Sequence, residues 1–143
     1  MNRRDLIQIA AAAAVTSGCL DAAETGTLET LAEIIVPGAK AARVPWFIDT
    51  MLANAPAPVK EEWKSGLAAV AREFASKQPL RVVEAMARGE SAPKTELERF
   101  FVTAKRMVVE GYVMSEEGAR YFGVSGHHIY KDFPGCTHKE HQP

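Results

Sequence analysis

The stretch PVKEEWKSGLAAVAREFASKQP sets Trp63, Leu67, Val70 and Phe74 at i, i+4, i+7 and i+11. That spacing follows the 3.6-residue period of a helix with one apolar face. Lys60, Glu61, Glu62, Lys64, Arg72 and Glu73 fill the remaining positions with charge. Such a helix must bury its stripe against other elements. No stretch of the chain alternates convincingly at period two, so those elements are further helices.

The spacing supplies them. TLETLAEIIVPG places Leu28, Leu31, Ile34 and Ile35 on one face, and Pro37-Gly38 stops the helix. VPWFIDTMLANAP follows, with Pro45 at a helix start and apolar pairs Phe47/Ile48 and Met51/Leu52 one turn apart. PLRVVEAMARGE reads as a shorter helix begun by Pro79 and ended by Gly89. In KTELERFFVTAKRMVVEGYVMS, Thr95 and Glu98 have capping-box spacing. Leu97, Phe100, Phe101, Ala104, Met107, Val108 and Tyr112 form its inner face. Ser115 caps a short turn in SEEGARYFG. The expected fold is all-α: a small bundle of about five helices joined by short Pro/Gly loops, with an irregular C-terminal arm over 124–143. At 143 residues the chain suits one domain. A chain of this size buries roughly 70% of its unfolded surface. Its net charge of −1 argues against a nucleic-acid binder, which would carry a basic patch.

Residues 1–22 read as an export leader and 23–143 as the domain. Arg3 and Arg4 form a charged start, and Ile7 to Val15 a weakly hydrophobic, alanine-rich run. The pattern Asn2-Arg3-Arg4-Asp5-Leu6-Ile7 resembles the twin-arginine signal, which serves proteins exported already folded. The alternative is an alanine-rich amphipathic helix on a cytoplasmic protein. Thr16-Ser17-Gly18-Cys19 also has the small residues that precede a lipid-bearing cysteine, with Thr16 where a branched aliphatic residue is usual. Beyond the leader no run of about 20 apolar residues exists to span a membrane.

Chemistry-bearing motifs are sparse. There is no GxGxxG, no GxxxxGK[ST] and no GxSxG. Glu61/Glu62 and Glu116/Glu117 sit on polar helix faces, where solvated charge explains them better than catalysis. The tail gathers His127, His128, Cys136, His138 and His141, a set with zinc- or copper-ligand chemistry but no closed-site spacing. The simpler account of these histidines is a polar terminus. Tyr130 and Phe133 give the same tail apolar anchors, which a solvated tail would lack. Trp46 and Trp63 read as packing residues, although Trp46, directly after Pro45, equally suits an interface. With Cys19 cut away or lipidated, Cys136 has no partner within the chain and is left as a free thiol, an intermolecular crosslink or a buried inert side chain.

Three stretches in order carry a resemblance: TLETLAEIIVPGAKAARVPWFIDTMLAN (Thr27 to Asn54), ELERFFVTAKRMVVEGYVMSEEGARYFG (Glu96 to Gly123) and DFPGC (Asp132 to Cys136). They resemble the gluconate 2-dehydrogenase subunit 3 family, the small subunits of FAD-dependent, membrane-associated sugar dehydrogenases. The loop between Pro37 and Val44 is shorter here than in that pattern. The resemblance implies a non-catalytic partner for a flavin-bearing large subunit of the glucose-methanol-choline type, with a multihaem cytochrome c as electron acceptor. The FAD would belong to that large subunit, and no catalytic, cofactor or metal residue is expected here. It further implies a periplasmic complex, exported on the leader that Arg3 and Arg4 mark. The expected interface residues are Trp46, Tyr130, Phe133 and Cys136, with Pro134-Gly135 turning the arm. The alternative, of another class, is a free-standing periplasmic or lipid-anchored protein holding metal through the tail. On the first reading Cys136 crosslinks to the large subunit after export. Non-reducing electrophoresis of the purified complex is expected to show one slower band that reductant splits; a large subunit migrating alone without reductant rules the crosslink out.

Overall fold

The computed structural model describes residues 18–124. Among these, six helices follow one another: α1 (Ala22–Ile35), α2 (Val44–Ala53), α3 (Ala57–Ser76), α4 (Pro79–Arg88), α5 (Glu96–Val113) and α6 (Glu116–Tyr121). The fold is all-α, as the spacing predicts. α5 packs against each of the other five, and α1 packs against α2, α3, α4 and α5. None of these helices is long and apolar enough to cross a membrane.

The core is apolar throughout. Leu28, Leu31, Val44, Ile48, Leu52, Leu67, Val70 and Val108 are fully buried, and no polar or charged residue is buried among the described residues. Burying one such side chain contributes about 1.5–3 kcal/mol. The stripe on α3 meets α5 through Trp63 and Phe100, whose rings stand edge to face at 5.3 Å between centroids. That approach depends on Gly66, because a Cβ there would lie 2.2 Å from the Phe100 ring.

The expected inner faces of two helices differ in detail. On α1, Leu28, Leu31 and Ala32 are buried, while Ile34 and Ile35 are only half-buried. The stripe is centred on the i, i+3, i+4 set, so Ile34 falls on its edge and Ile35 on the last residue of the helix. On α2, Ile48 and Leu52 are buried, Phe47 packs partly against the core, and Met51 is exposed. Only one side of α2 faces the bundle, and Met51 falls on its outer side while Leu52 falls on the inner.

Polar side chains work at the helix ends. Asp21 accepts the Glu24 N–H at 2.8 Å, and the Glu24 carboxylate accepts the Asp21 N–H at 2.9 Å. The same reciprocal box starts α5, where Thr95 accepts the Glu98 N–H at 3.2 Å. Glu98 accepts the N–H groups of Lys94 at 2.6 Å and Thr95 at 3.1 Å. Glu33 reaches forward to accept the N–H groups of Gly38 at 2.9 Å and Lys40 at 3.0 Å, which fixes the loop into α2. Lys105 on α5 meets both carboxylate oxygens of Glu90 at 2.7 and 2.6 Å, tying α5 to the loop after α4. A half-exposed pair of this kind contributes at most about 1 kcal/mol.

The backbone N–H groups of Gly38 and Lys94 hold Glu33 and Glu98, respectively, below the usual carboxylate range. A carboxyl group depressed in the folded state stabilises the fold above its unfolded value and loses that contribution as the pH falls through the folded one. Glu98→Gln keeps the box geometry and removes the charge. Its melting temperature is expected to fall below that of the parent at pH 7, and the gap to close as the pH drops below about 4.3. Thermal melts across that range check it. Gly66→Ala is expected to cost about 1–3 kcal/mol by overpacking against Phe100. Gly26→Ala, in open space on α1, is expected to stabilise by about 0.5–1 kcal/mol. Urea denaturation of the two variants tests the contrast.

Candidate partner interface

Arg43 adopts a left-handed conformation, with φ at 58°, as the chain turns into α2. Its N–H bonds back to the Lys40 carbonyl at 3.0 Å. Its guanidinium lies over the Trp46 ring, 4.6 Å from the centroid. The turn thus presents a cation stacked on an indole, and 57% of Trp46 remains exposed. Trp63, by contrast, is a core residue.

A second apolar surface forms where α5 gives way to α6. Ser115 starts the short helix by accepting the Gly118 N–H at 3.0 Å. Two turns cannot bury both aromatics that follow. Tyr121 and Phe122 pair edge to face at 5.2 Å and stay 76% and 59% exposed. Met114, at the end of α5, is 75% exposed, and Val113 and Val124 are exposed with it. Exposed large apolar side chains thus cluster in sequence at the end of α5 and after α6; contiguous apolar patches of this kind mark contact with another surface. Each aromatic ring carries 150–250 Å² that such a contact removes from water, by the usual order of magnitude.

The grooves are of a different kind. One, of about 420 Å³, is lined by Met51, Leu52, Val59, Trp63 and Met107, with Glu62 and Arg106 at its polar edge. Another, of about 440 Å³, runs between α3 and α5 past Glu62, Arg72, Glu96 and Arg99. Charges of both signs line it, so it carries no concentrated field of one sign. Among the described residues no three His, Cys, Asp or Glu side chains converge as metal ligands would.

Cys19 is a free thiol, half-buried against the core. Residues 19–22, which the sequence assigns to the leader, pack with the domain: Leu20 is a core residue and Asp21 caps α1. Of the expected interface residues, Trp46 lies on the surface as described. Tyr130, Phe133 and Cys136 lie outside the described residues, as do Arg3 and Arg4 and the tail histidines His127, His128, His138 and His141. The residues not foreseen are Met114, Tyr121 and Phe122. Their signal was legible in the adjacent aromatics of SEEGARYFG, a turn too short to cover both.

The pattern of the family described as gluconate 2-dehydrogenase subunit 3 matches residues 22–135. The chain belongs to the gluconate 2-dehydrogenase subunit 3 family. No curated protein and no solved structure matches it. Membership makes the chain an accessory subunit of a dehydrogenase complex, with a larger catalytic partner. The family match runs from the first residue of α1 through the whole bundle. It therefore includes both exposed surfaces, the Arg43–Trp46 stack and the corner bearing Met114, Tyr121 and Phe122.

Proposed function

We propose that this small subunit is non-catalytic, and that it binds, stabilises and co-exports an FAD-bearing large subunit of the glucose-methanol-choline type. The observation that carries the reading is the strong exposure of Met114, Tyr121 and Phe122 after the end of α5. The chain then continues into a segment containing Tyr130 and Phe133, which extends the same apolar chemistry in sequence. Aromatic anchors of this type dominate the binding energy of interfaces. The Arg43–Trp46 stack supplies a second anchor, since Arg and Trp are the residue types enriched at such points.

The division of labour follows from the chemistry. Oxidation of a sugar alcohol would pass the hydride of its carbinol carbon to a flavin, with the hydroxyl proton lost to a base, and the protein that binds the flavin positions it. This chain has no dinucleotide fingerprint, so the flavin and the sugar belong to the larger partner. The cofactor is inserted in the cytoplasm, so the large subunit leaves it already folded. A partner carrying Arg3 and Arg4 at its own start can provide passage for both by the twin-arginine route, towards the periplasm. A multihaem cytochrome c is the acceptor this arrangement calls for.

Co-expression of the tagged chain with a flavoprotein large subunit tests the proposal. The expected result is a yellow, FAD-containing complex. An isolated chain that holds FAD or oxidises a sugar overturns it. The double variant Tyr121→Ser/Phe122→Ser is expected to fold normally, because both side chains are exposed, and to weaken complex formation by about 30-fold or more, the scale of a lost hot spot. Thermal melts of the free chain and titration with the large subunit separate the two effects.

A further inference from the structure

The chain enters α1 through a short bent segment, residues 18–21, held by its backbone. Asp49 Oδ1, on α2, accepts the Cys19 N–H at 2.7 Å and the Leu20 N–H at 2.9 Å. A Cβ on Gly18 would lie 2.1 Å from Asp49 Oδ2. The second carboxylate oxygen occupies the space a side chain at 18 would need, so any larger residue there would displace the Asp49 carboxylate. Asp49 is half-buried, and none of the ion pairs among the described residues includes it. A carboxylate in this position is satisfied here by neutral donors alone, although a charged donor would serve it better.

Directly upstream stand the small residues Thr16, Ser17 and Gly18, and Gly18 itself is exposed. A cut beyond Leu20 would strip a core side chain, and a cut after residue 22 would also remove the Asp21–Glu24 box. A cut after Cys19 would remove one of the two N–H groups on Asp49. The Gly18–Cys19 bond is thus the last at which cleavage leaves the domain intact. The terminal nitrogen it would create already faces a carboxylate, and the Leu20 N–H is kept beside it.

We propose that the leader is released between Gly18 and Cys19 and that Asp49 holds the terminal nitrogen so formed. This rests on the export reading. A host signal peptidase adds water across the peptide bond: the C–N bond breaks, the water oxygen joins the Gly18 carbonyl carbon as a carboxylate, and the Cys19 amine is released and protonated. The existing N–H to Oδ1 hydrogen bond becomes an ammonium–carboxylate pair without rearrangement of the fold. The mature domain gains a tethered end in place of a free one.

The test is the intact mass and N-terminal peptide of the chain expressed with its own leader in an exporting bacterium. A chain beginning at Cys19 with a free amine, with or without an acyl mass on its sulfur, is the expected result; an acylated amine overturns the ammonium pair with Asp49. An exported chain beginning anywhere else overturns the proposal and leaves the export reading standing. A full-length chain retained in the cytoplasm overturns both. The role of Asp49 is read separately with Asp49→Asn, which keeps an acceptor oxygen and removes the charge. In a chain prepared to begin at Cys19, this variant is expected to lower the melting temperature by on the order of 4 °C more than it does in the full-length chain. Equal losses in the two forms overturn the assignment of Asp49.

Discussion

The packing of α5 against all five other helices is the constraint on which the rest of the structure depends. A central helix must offer an apolar surface over more than one stripe, and α5 does so with Phe100, Phe101, Ala104 and Val108 buried and Leu97, Met107 and Tyr112 half-buried. The face that remains carries Lys105, Arg106 and Glu110 to solvent. The closeness of the fit is set where α3 crosses it. Phe100 lies over the bare backbone of Gly66 and against the edge of Trp63, so the helix separation there is fixed by ring thickness rather than by intervening side chains. Contacts of this kind give an apolar core a single arrangement, which burial alone does not.

Polar groups do the complementary task of defining where helices begin and how loops run. The boxes at Asp21–Glu24 and Thr95–Glu98, the forward reach of Glu33 and the double acceptance by Asp49 all use carboxylates against backbone N–H groups. Such groups are the orphan donors of helix starts and turns. Each of these carboxylates therefore sets a local direction of the chain at the bundle's edge, while the interior supplies the cohesion.

Most of this was legible in the sequence because helical periodicity and punctuation agree. Pro45, Pro79 and Gly89 mark the ends they occupy, and Thr95 with Glu98 marks the start of α5. The entrance to α1 was harder to see. Asp21-x-x-Glu24 has the same box spacing as Thr95-x-x-Glu98, but it follows directly on an alanine-rich leader and was absorbed into it. The Asp49 clamp had no local signal at all, because it joins positions 30 residues apart in sequence. Trp46 is legible as an exposed aromatic at a helix start, two residues from buried Val44 and Ile48, but the left-handed turn that sets Arg43 over its ring is not encoded by periodicity.

The exposed corner at Met114, Tyr121 and Phe122 has the same origin as the buried core. Because α6 is only two turns long and follows α5 through Ser115, it packs back on α5 and has no further helix to cover its outer side among the described residues. The bundle can bury Trp63, Phe100 and Phe101 because α5 lies between several neighbours; at its C-terminal end the neighbours run out. An aromatic pair placed there gains its stabilisation only when another surface arrives. On the proposed function, a subunit built in this way would keep its own stability in a closed apolar core and bind its partner through a few residues at one end, without drawing on the contacts that hold the bundle together.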